Sequence, residues 1–474
     1  MKIFLGLLFA VLFVQNVYCV DRGVQLRITR KALEYALDVE IEKVQESIRS
    51  KSFDQRGQSG RTSWSVYNTR IQQLNFPNKD LQPIGGRGIR ASVSNAYIQI
   101  SGRAHYRYKR GWFKISDSID LTVKASRLRF SLDILIGRDG NGVPNIRTTG
   151  CSSDLSVDVD FHGGKAWIYN AFAGVFEGKL RDVLRQALCE SARRGIDRNA
   201  RDELRTFKVE RDIDPVAKLD YRLTANPTYT SQYVDFYLKG EFTSRYNPQP
   251  NGIAFTSFAT NSDSTKMLYA WISEYTANTA AKVYHDAGRL DTSLNAWDPK
   301  DPEKPREKLN TKFLKYYAPE IYKKYPDMPI GIRFTSYRQP FVKISPQGIL
   351  CHIFMRAMFK VRDEKTQKLT DVLGINFNIN ASVSITVNNE KIIPKIEPRM
   401  KYHAVVDKPF RNLLQIDLNS NFVYGMLYYV ISSKLNPKLE RGLDIPKMDN
   451  IELRNADIQL IQGAVRIGLD IKKK

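Results

Sequence analysis

The sequence predicts an α+β fold of about two modules, on three observations. A succession of long helix, strands and helix in the first half of the 474 residues recurs in the second. One segment, Leu373, Ile375, Phe377, Ile379, Ala381, Val383, Ile385 and Val387, is apolar at every other position over about 15 residues, well beyond the usual strand of 5 or 6. A strand that long with one continuous apolar face belongs to a sheet wrapped around something, not to a compact sandwich. Finally, the chain exceeds what one hydrophobic core usually organises.

Residues 1–19 read as a secretory signal, with Met1 and Lys2 as a positive start, 3–14 as an apolar stretch, and Val17 and Cys19 at the cleavage site. The apolar run, about 12 residues, falls short of the roughly 20 that span a bilayer, and the mature chain is expected to begin near Val20. Residues 26–48 follow the helical period, with Leu33, Leu37, Ile41, Val44 and Ile48 at three- and four-residue steps beside Glu34, Asp38, Glu42 and Glu46. From about Trp64 the period becomes two. Leu128, Phe130, Leu132, Ile134 and Ile136 alternate with Arg129, Ser131 and Asp133, and Leu155, Val157, Val159 and Phe161 with Ser156, Asp158 and Asp160, as in half-buried antiparallel strands. Arg138-Asp139-Gly140-Asn141-Gly142 supplies a turn between them. Further on, 167–192 and 266–287 read as helix, 341–361 as strand, 410–435 as a long apolar helix and 451–471 as closing strands. Asn226-Pro227-Thr228 and Asn247-Pro248-Gln249-Pro250-Asn251-Gly252 mark loops near the boundary between halves.

Without Cys19 the cysteines are Cys151, Cys189 and Cys351, and an oxidising compartment favours a disulfide between two of them. Cys151 and Cys189 are the better pair, because they flank one strand-plus-helix unit whose closure is worth roughly 3 to 4 kcal/mol. Cys351, within Gly-Ile-Leu-Cys-His-Ile-Phe, reads as a small buried apolar residue. The sequon Asn380-Ala381-Ser382 places Asn380 on the polar face of its strand, as a glycosylation site.

The formal net charge of +23 calls for an anionic partner. Residues 51–150 hold 17 basic and 6 acidic side chains while 151–200 hold 7 of each, so the basic surface is localised. No zinc-finger or RNA-binding signature accompanies it, and a secreted chain seldom meets nucleic acid. Anionic lipid, lipopolysaccharide phosphate or sulfated glycan is the expected partner. His105, His162, His285, His352 and His403 share no metal-ligand spacing. There is no nucleophile elbow, Walker loop or dinucleotide fingerprint, since Gly85-Gly86-Arg87-Gly88 lacks the strand-to-helix setting. The expectation is a non-enzymatic protein without catalytic residues, metal or cofactor.

Cations and aromatics meet in residues 103–114. Strand alternation puts Arg103, His105, Arg107 and Lys109 on one face and Tyr106 and Tyr108 on the other, with Arg110 and Gly111 at the turn, then Trp112 and Lys114. A second basic run, Arg49, Lys51, Arg56 and Arg61, begins where the first helix ends. Such a surface suits anionic headgroups, each Lys or Arg contributing on the order of 1 kcal/mol and Trp favouring the interface. The same charges also read as solvated residues that keep edge strands from aggregating.

Taken in order, several segments resemble the family of bactericidal/permeability-increasing protein, lipopolysaccharide-binding protein and the plasma lipid-transfer proteins. They are residues 23–36, beginning Gly23-Val24-Gln25-Leu26-Arg27; residues 94–103, beginning Ser94-Asn95-Ala96-Tyr97; Cys151 with Cys189; and Asp235-Phe236-Tyr237-Leu238-Lys239-Gly240-Glu241-Phe242. Asn278-Thr279-Ala280, Asp286-Ala287-Gly288 and Arg441-Gly442-Leu443-Asp444-Ile445-Pro446 complete the series, which covers essentially the whole mature chain. The resemblance implies an elongated boomerang of two similar modules, each a long helix wrapped by a curved antiparallel sheet, joined by a central sheet. The modules would be 20–214 and 251–474, with 215–250 as linker and central-sheet strands, each enclosing a bound phospholipid. It also implies that Arg49, Lys51, Arg56, Arg61, Arg103, Arg107, Lys109, Arg110 and Lys114 take anionic headgroups in a peripheral membrane contact, with Trp112 at the interface. Leu33, Leu37, Ile41 and Val44 become pocket wall, or else pack helix against sheet. The tip departs from the family's residue choice, with Arg, His and Tyr where several Lys are usual. The expected function is secreted binding of lipopolysaccharide or another anionic bacterial lipid in innate antibacterial defence, ahead of extracellular transfer of phospholipid or neutral lipid.

Overall fold

The computed structural model describes residues 21–50, 52–59, 62–110, 112–163, 173–206, 208–248, 251–296, 309–388, 391–413, 418, 421–444 and 451–473. The signal-like residues 1–19, Lys51, Arg61, Gly111 and the predicted helix start at 167–172 lie outside them. The first module opens with strand β1 (Val24–Thr29) and helix α1 (Arg30–Arg49). A curled antiparallel sheet follows, made of β2 (Gln55–Ser59), β3 (Thr62–Asn75), β4 (Asn78–Ile84), β5 (Gly88–Arg110), β6 (Phe113–Arg138) and β7 (Pro144–His162). Its strands pair in the order β2-β3-β5-β6-β7, with β4 also on β5. Period-two patterning works here as expected: Ile119, Leu121, Val123 and Ala125 of β6 are buried, while Asp120 faces outward. Register shifts between Ser126 and Arg129, opposite others at Ala96, bend the long ribbon. The predicted turn after Arg138 forms, its Asp139 carboxylate accepting from the N–H groups of Asn141 and Val143. Helix α2 (Ala173–Arg194) runs through a π-helical turn into α3 (Arg201–Arg205) and lays Leu180 and Leu184 on the concave face.

The connecting region supplies β8 (Glu210–Asp212), β9 (Ala217–Asp220), β10 (Thr228–Tyr229), β11 (Tyr233–Leu238) and β12 (Glu241–Ser244). The second module begins with β13 (Leu268–Ser273) and α4 (Glu274–Asp286). Then come β14 (Thr292–Asn295), α5 (Pro319–Lys324), β15 (Ile330–Ser345), β16 (Gly348–Arg362), β17 (Leu369–Val387) and β18 (Lys391–Val406). The chain ends in α6 (Asn421–Val430), a π-helical turn, α7 (Asn436–Leu439), β19 (Leu443–Asp444), β20 (Ile451–Ile461) and β21 (Ala464–Lys473). Strands β14 to β19 form a second curled sheet in sequence order. Its alternating strand β17 buries Ile375, Phe377, Ile379 and Ala381 against Val423, Leu427, Val430 and Ile431. The apolar stretch 410–435, expected as one helix, is broken: it starts in a 3-10 turn (Lys408–Leu413), and α6 passes into the π-helical turn (Ile431–Leu435).

Both leading helices start later than the apolar spacing predicts, at Arg30 and Glu274, because β1 and β13 precede them as strands. β1 inverts the usual pattern: it buries Gln25, Arg27 and Thr29 and leaves Leu26 37% exposed, so a reading that counts apolar residues assigns Leu26 to the helix. The two junctions are alike. Thr29 (φ −84°, ψ 162°) and Ser273 (φ −81°, ψ 162°) are the buried residues at which strand turns into helix.

These strands meet in the central sheet, ordered β10-β11-β1-β13-β21-β20, which joins the two modules into an elongated boomerang. β1 lies antiparallel between β11 and β13, Arg27 opposite Asp235 on one side and Tyr269 on the other. The Arg27 side chain is 1% exposed and donates from Nε and Nη2 to both carboxylate oxygens of Asp235, at 2.7 and 2.9 Å. Its Nη1 donates to the carbonyls of Asn261 and Asp263, and its guanidinium stacks 3.4 Å from the Tyr233 ring centroid. Removing one partner of such a pair strands the other in low dielectric. Arg27→Met is therefore expected to lose about 3–5 kcal/mol in guanidinium unfolding, and Asp235→Leu added to it to recover much of that. A single variant as stable as wild type would show that the pair carries nothing.

Candidate anionic-lipid site at the tip of the first sheet

β5 and β6 form one long hairpin whose far end is the predicted basic tip. Their ladder pairs Arg103 with Asp120, His105 with Ser118, Arg107 with Ser116, Lys109 with Lys114 and, last, Arg110 with Phe113. Paired residues on neighbouring strands share a face, so Arg103, His105, Arg107, Lys109 and Lys114 all project from the outer side, opposite the buried Ala104 and Ile119. The ladder continues through β3 to β2, where Arg56 pairs with Ser65 and Ser65 with His105, adding Arg56 to the same face. The predicted site residues Arg56, Arg103, Arg107, Lys109 and Lys114 thus come together. Arg49 sits exposed in the last turn of α1, from which Phe53 and Asp54 tie the chain to Thr69 of β3. Lys51 and Arg61 lie outside the described residues.

Neutralisation within the patch is partial. Arg103 meets Asp120 at 3.0 Å, both side chains more than half exposed, and His105 Nδ1 lies 3.0 Å from the Ser118 hydroxyl. Lys109 and Lys114 are cross-strand neighbours of like charge, an arrangement that destabilises an antiparallel pair unless an anion sits between them. Trp112, in the turn beyond them, is 96% exposed.

On the concave side the apolar interior holds a cavity of about 20 Å³, on the order of one water. Val66, Ile100 and Val123 of the sheet line it with Leu180, Val183 and Leu184 of α2. Leu33, Leu37 and Ile41 are half-buried along α1 and do not line this cavity; the Val44 side chain lies outside the described residues. The contribution of α2 was available in the sequence, since Leu180, Val183, Leu184 and Ala187 follow the same helical spacing as the first helix. A disulfide joins Cys151 of β7 to Cys189 of α2 across a Cα separation of 5.8 Å and so clamps this helix to the sheet. Asn380 is exposed on β17, flanked by His352 and Lys401.

Residues 26–199 match the N-terminal domain of the LBP / BPI / CETP family, and residues 211–473 its C-terminal domain. The chain belongs to this family. Within the LBP / BPI / CETP family it is 30% identical to the lipopolysaccharide-binding protein of Mus musculus, over 99% of this chain and 97% of that protein. It is 27% identical to the lipopolysaccharide-binding protein of Homo sapiens (95% and 93%). With the bactericidal permeability-increasing protein of Sebastes schlegelii the identity is 25%, over 96% of each chain. The crystal structure of a lipopolysaccharide binding protein superposes with a TM-score of 0.61 at 26% identity, covering 96% of this chain and all of that one. The LBP / BPI / CETP proteins bind lipids and are not known as enzymes. Among the described residues no helix is long and apolar enough to cross a membrane.

The clamp and the remaining thiol make distinct expectations. Cys151→Ser with Cys189→Ser should lower stability by about 2–5 kcal/mol, a drop in Tm that reductant reproduces in the wild type. Cys351 is free and half-buried, and desolvation pushes its thiol up to about 12, so a thiol reagent should label it much more slowly in the folded than in the unfolded protein. Rapid labelling of the folded protein would contradict its burial.

Proposed function

We propose that the protein is secreted and binds lipopolysaccharide or a similar anionic bacterial lipid in innate antibacterial defence. The basic tip takes the phosphates, and acyl chains or a phospholipid enter the apolar interior between sheet and helices. The observation that carries this reading is the collection of Arg56, Arg103, Arg107, Lys109 and Lys114 on one outer face beside Trp112. In this reading Arg49, Lys51, Arg61 and Arg110 take headgroup phosphates as well. The names of the relatives, lipopolysaccharide-binding and bactericidal permeability-increasing proteins, support it.

The energetics divide the work. Each methylene withdrawn from water contributes roughly 0.8 kcal/mol, so holding a lipid falls to the apolar interior that α2 lines. Each cation near an anionic surface adds about 1 kcal/mol, so choosing the surface falls to the tip. Secretion rests on the signal-like residues 1–19 and on a disulfide, which persists in oxidising compartments. Asn380 is the glycosylation site in this account. The two lipid modules are taken as 20–214 and 251–474, with 215–250 feeding the central sheet.

Arg107→Ala, Lys109→Ala and Lys114→Ala together are expected to weaken lipopolysaccharide binding by about 100-fold at low salt, at three charges of about 1 kcal/mol each. Stability should hold or rise, because the Lys109–Lys114 repulsion is removed. Native mass spectrometry of the same preparations reads co-purified phospholipid. Bound lipid with unchanged lipopolysaccharide affinity would overturn the defence reading in favour of lipid transfer, and a protein free of lipid would overturn the lipid-holding interior.

A further inference from the structure

The second sheet also ends in a charged, aromatic tip. β15 leaves the central sheet at Ile344, whose carbonyl accepts from Gly463 N–H in the β20–β21 turn, and its other end, Ile330, lies about 50 Å away along the strand. There residues 309–328 close the mouth of the sheet: Ile330 N–H donates to Leu309, and Thr311 N–H to Met328. Leu314, Ala318 and Ile321 plug into the core at 0–2% exposure, which fixes the opposite side of the segment outward. That side carries Lys312, Lys315, Lys323 and Lys324, all exposed, and Tyr316, 83% exposed.

The segment holds four lysines against two carboxylates and four tyrosines. Glu320 pairs with Lys323 at 2.7 Å, and Asp327 accepts from the Tyr322 hydroxyl. Lys315 lies over the Tyr322 ring and Lys324 over Tyr325, so cations and rings are interleaved. The 3-10 turn Lys408–Leu413 packs beside α5 and brings Lys408 and Arg411, while the neighbouring turn 363–368 adds two charges of each sign. An anion alone would call for the lysines but gives no reason to hold Tyr316 in water. An anionic bilayer calls for both, since Tyr partitions to the headgroup level and Lys to its charge.

We propose that this distal end of the second module, built on Lys312, Lys315, Tyr316 and Lys324, is a second docking surface for an anionic membrane. It is separate from the lipopolysaccharide site proposed at the first tip, and the two are tested by different variants. Full-length protein carrying Arg107→Ser, Lys109→Ser and Lys114→Ser is floated with phosphatidylcholine vesicles, with and without phosphatidylglycerol. This background should keep phosphatidylglycerol-dependent binding. Adding Lys312→Ser, Lys315→Ser, Lys324→Ser and Tyr316→Ser should reduce that binding at least about tenfold with Tm unchanged, and Lys→Arg at the three lysines should retain it. Residual binding that survives the second set of changes, or that is already absent from the background, overturns the second surface. A first-tip variant that binds lipopolysaccharide like wild type counts against the earlier reading instead.

Discussion

The bidentate pairing of Arg27 with Asp235, sealed under Tyr233 and the 251–267 loop, is what lets the chain's first strand serve as the middle of a sheet. A guanidinium does not leave water for a sheet interior without a carboxylate and carbonyls to receive its protons. Here all of those come from residues beyond 230, so the pairing cannot be satisfied within one module. α1 and α4 then leave the same sheet through matching buried junctions at Thr29 and Ser273, and each module's orientation is set by this one layer.

From that layer the long strands carry two chemistries in parallel. Period-two alternation gives the long strands of the curled sheets, β6, β7 and β17 among them, an apolar inner face and a polar outer one, and length carries both far from the central sheet. Lipid capacity and surface recognition can therefore change independently: residues 119, 121 and 123 of β6 face the interior, while 114 and 120 between and beside them face solvent. The disulfide and α2 close the inner face without touching the outer one. Charge accumulates where the ribbon ends, because there Lys109 and Lys114 have water on most sides and no core to disturb.

Much of this is legible in the sequence. The alternation of β6, β7 and β17, the Asp139 turn, the choice of Cys151 with Cys189 and the shared face of Arg103, His105, Arg107 and Lys109 are readable from residue spacing, while the hairpin's register is not: Arg110, expected at the turn, is the last paired residue of β5, opposite Phe113. What is hidden follows from burial of polar groups. β1 turns Gln25, Arg27 and Thr29 inward, and no hydrophobic count can find a strand whose buried face is polar. Apolar spacing consequently places the leading helices four to eight residues too early. The lining of the interior was ambiguous for another reason: α1 and α2 show similar apolar spacing, and only the fold assigns the walls of the cavity to the second. The break in the 410–435 stretch does leave a mark in composition: Arg411, Asn412, Gln415, Asp417, Asn419 and Ser420 interrupt the apolar residues ahead of α6, and Ser432, Ser433 and Lys434 fall in the π-helical turn.

The place of β1 also has a consequence for the order of events at synthesis. The strand β1 (Val24–Thr29), made early in synthesis, has its two partners at residues 233–238 and 268–273, more than 200 positions later. A separation of that size raises the contact order of the central sheet and slows its closure. Until Tyr233–Leu238 has emerged the opening strand keeps both edges unpaired and Arg27 waits in solvent for its carboxylate, and the second edge waits for Leu268–Ser273. The first curled sheet, whose pairings lie within residues 55–162, can form during that wait. The central sheet is thus a late seam, closed only after the first curled sheet has its strands.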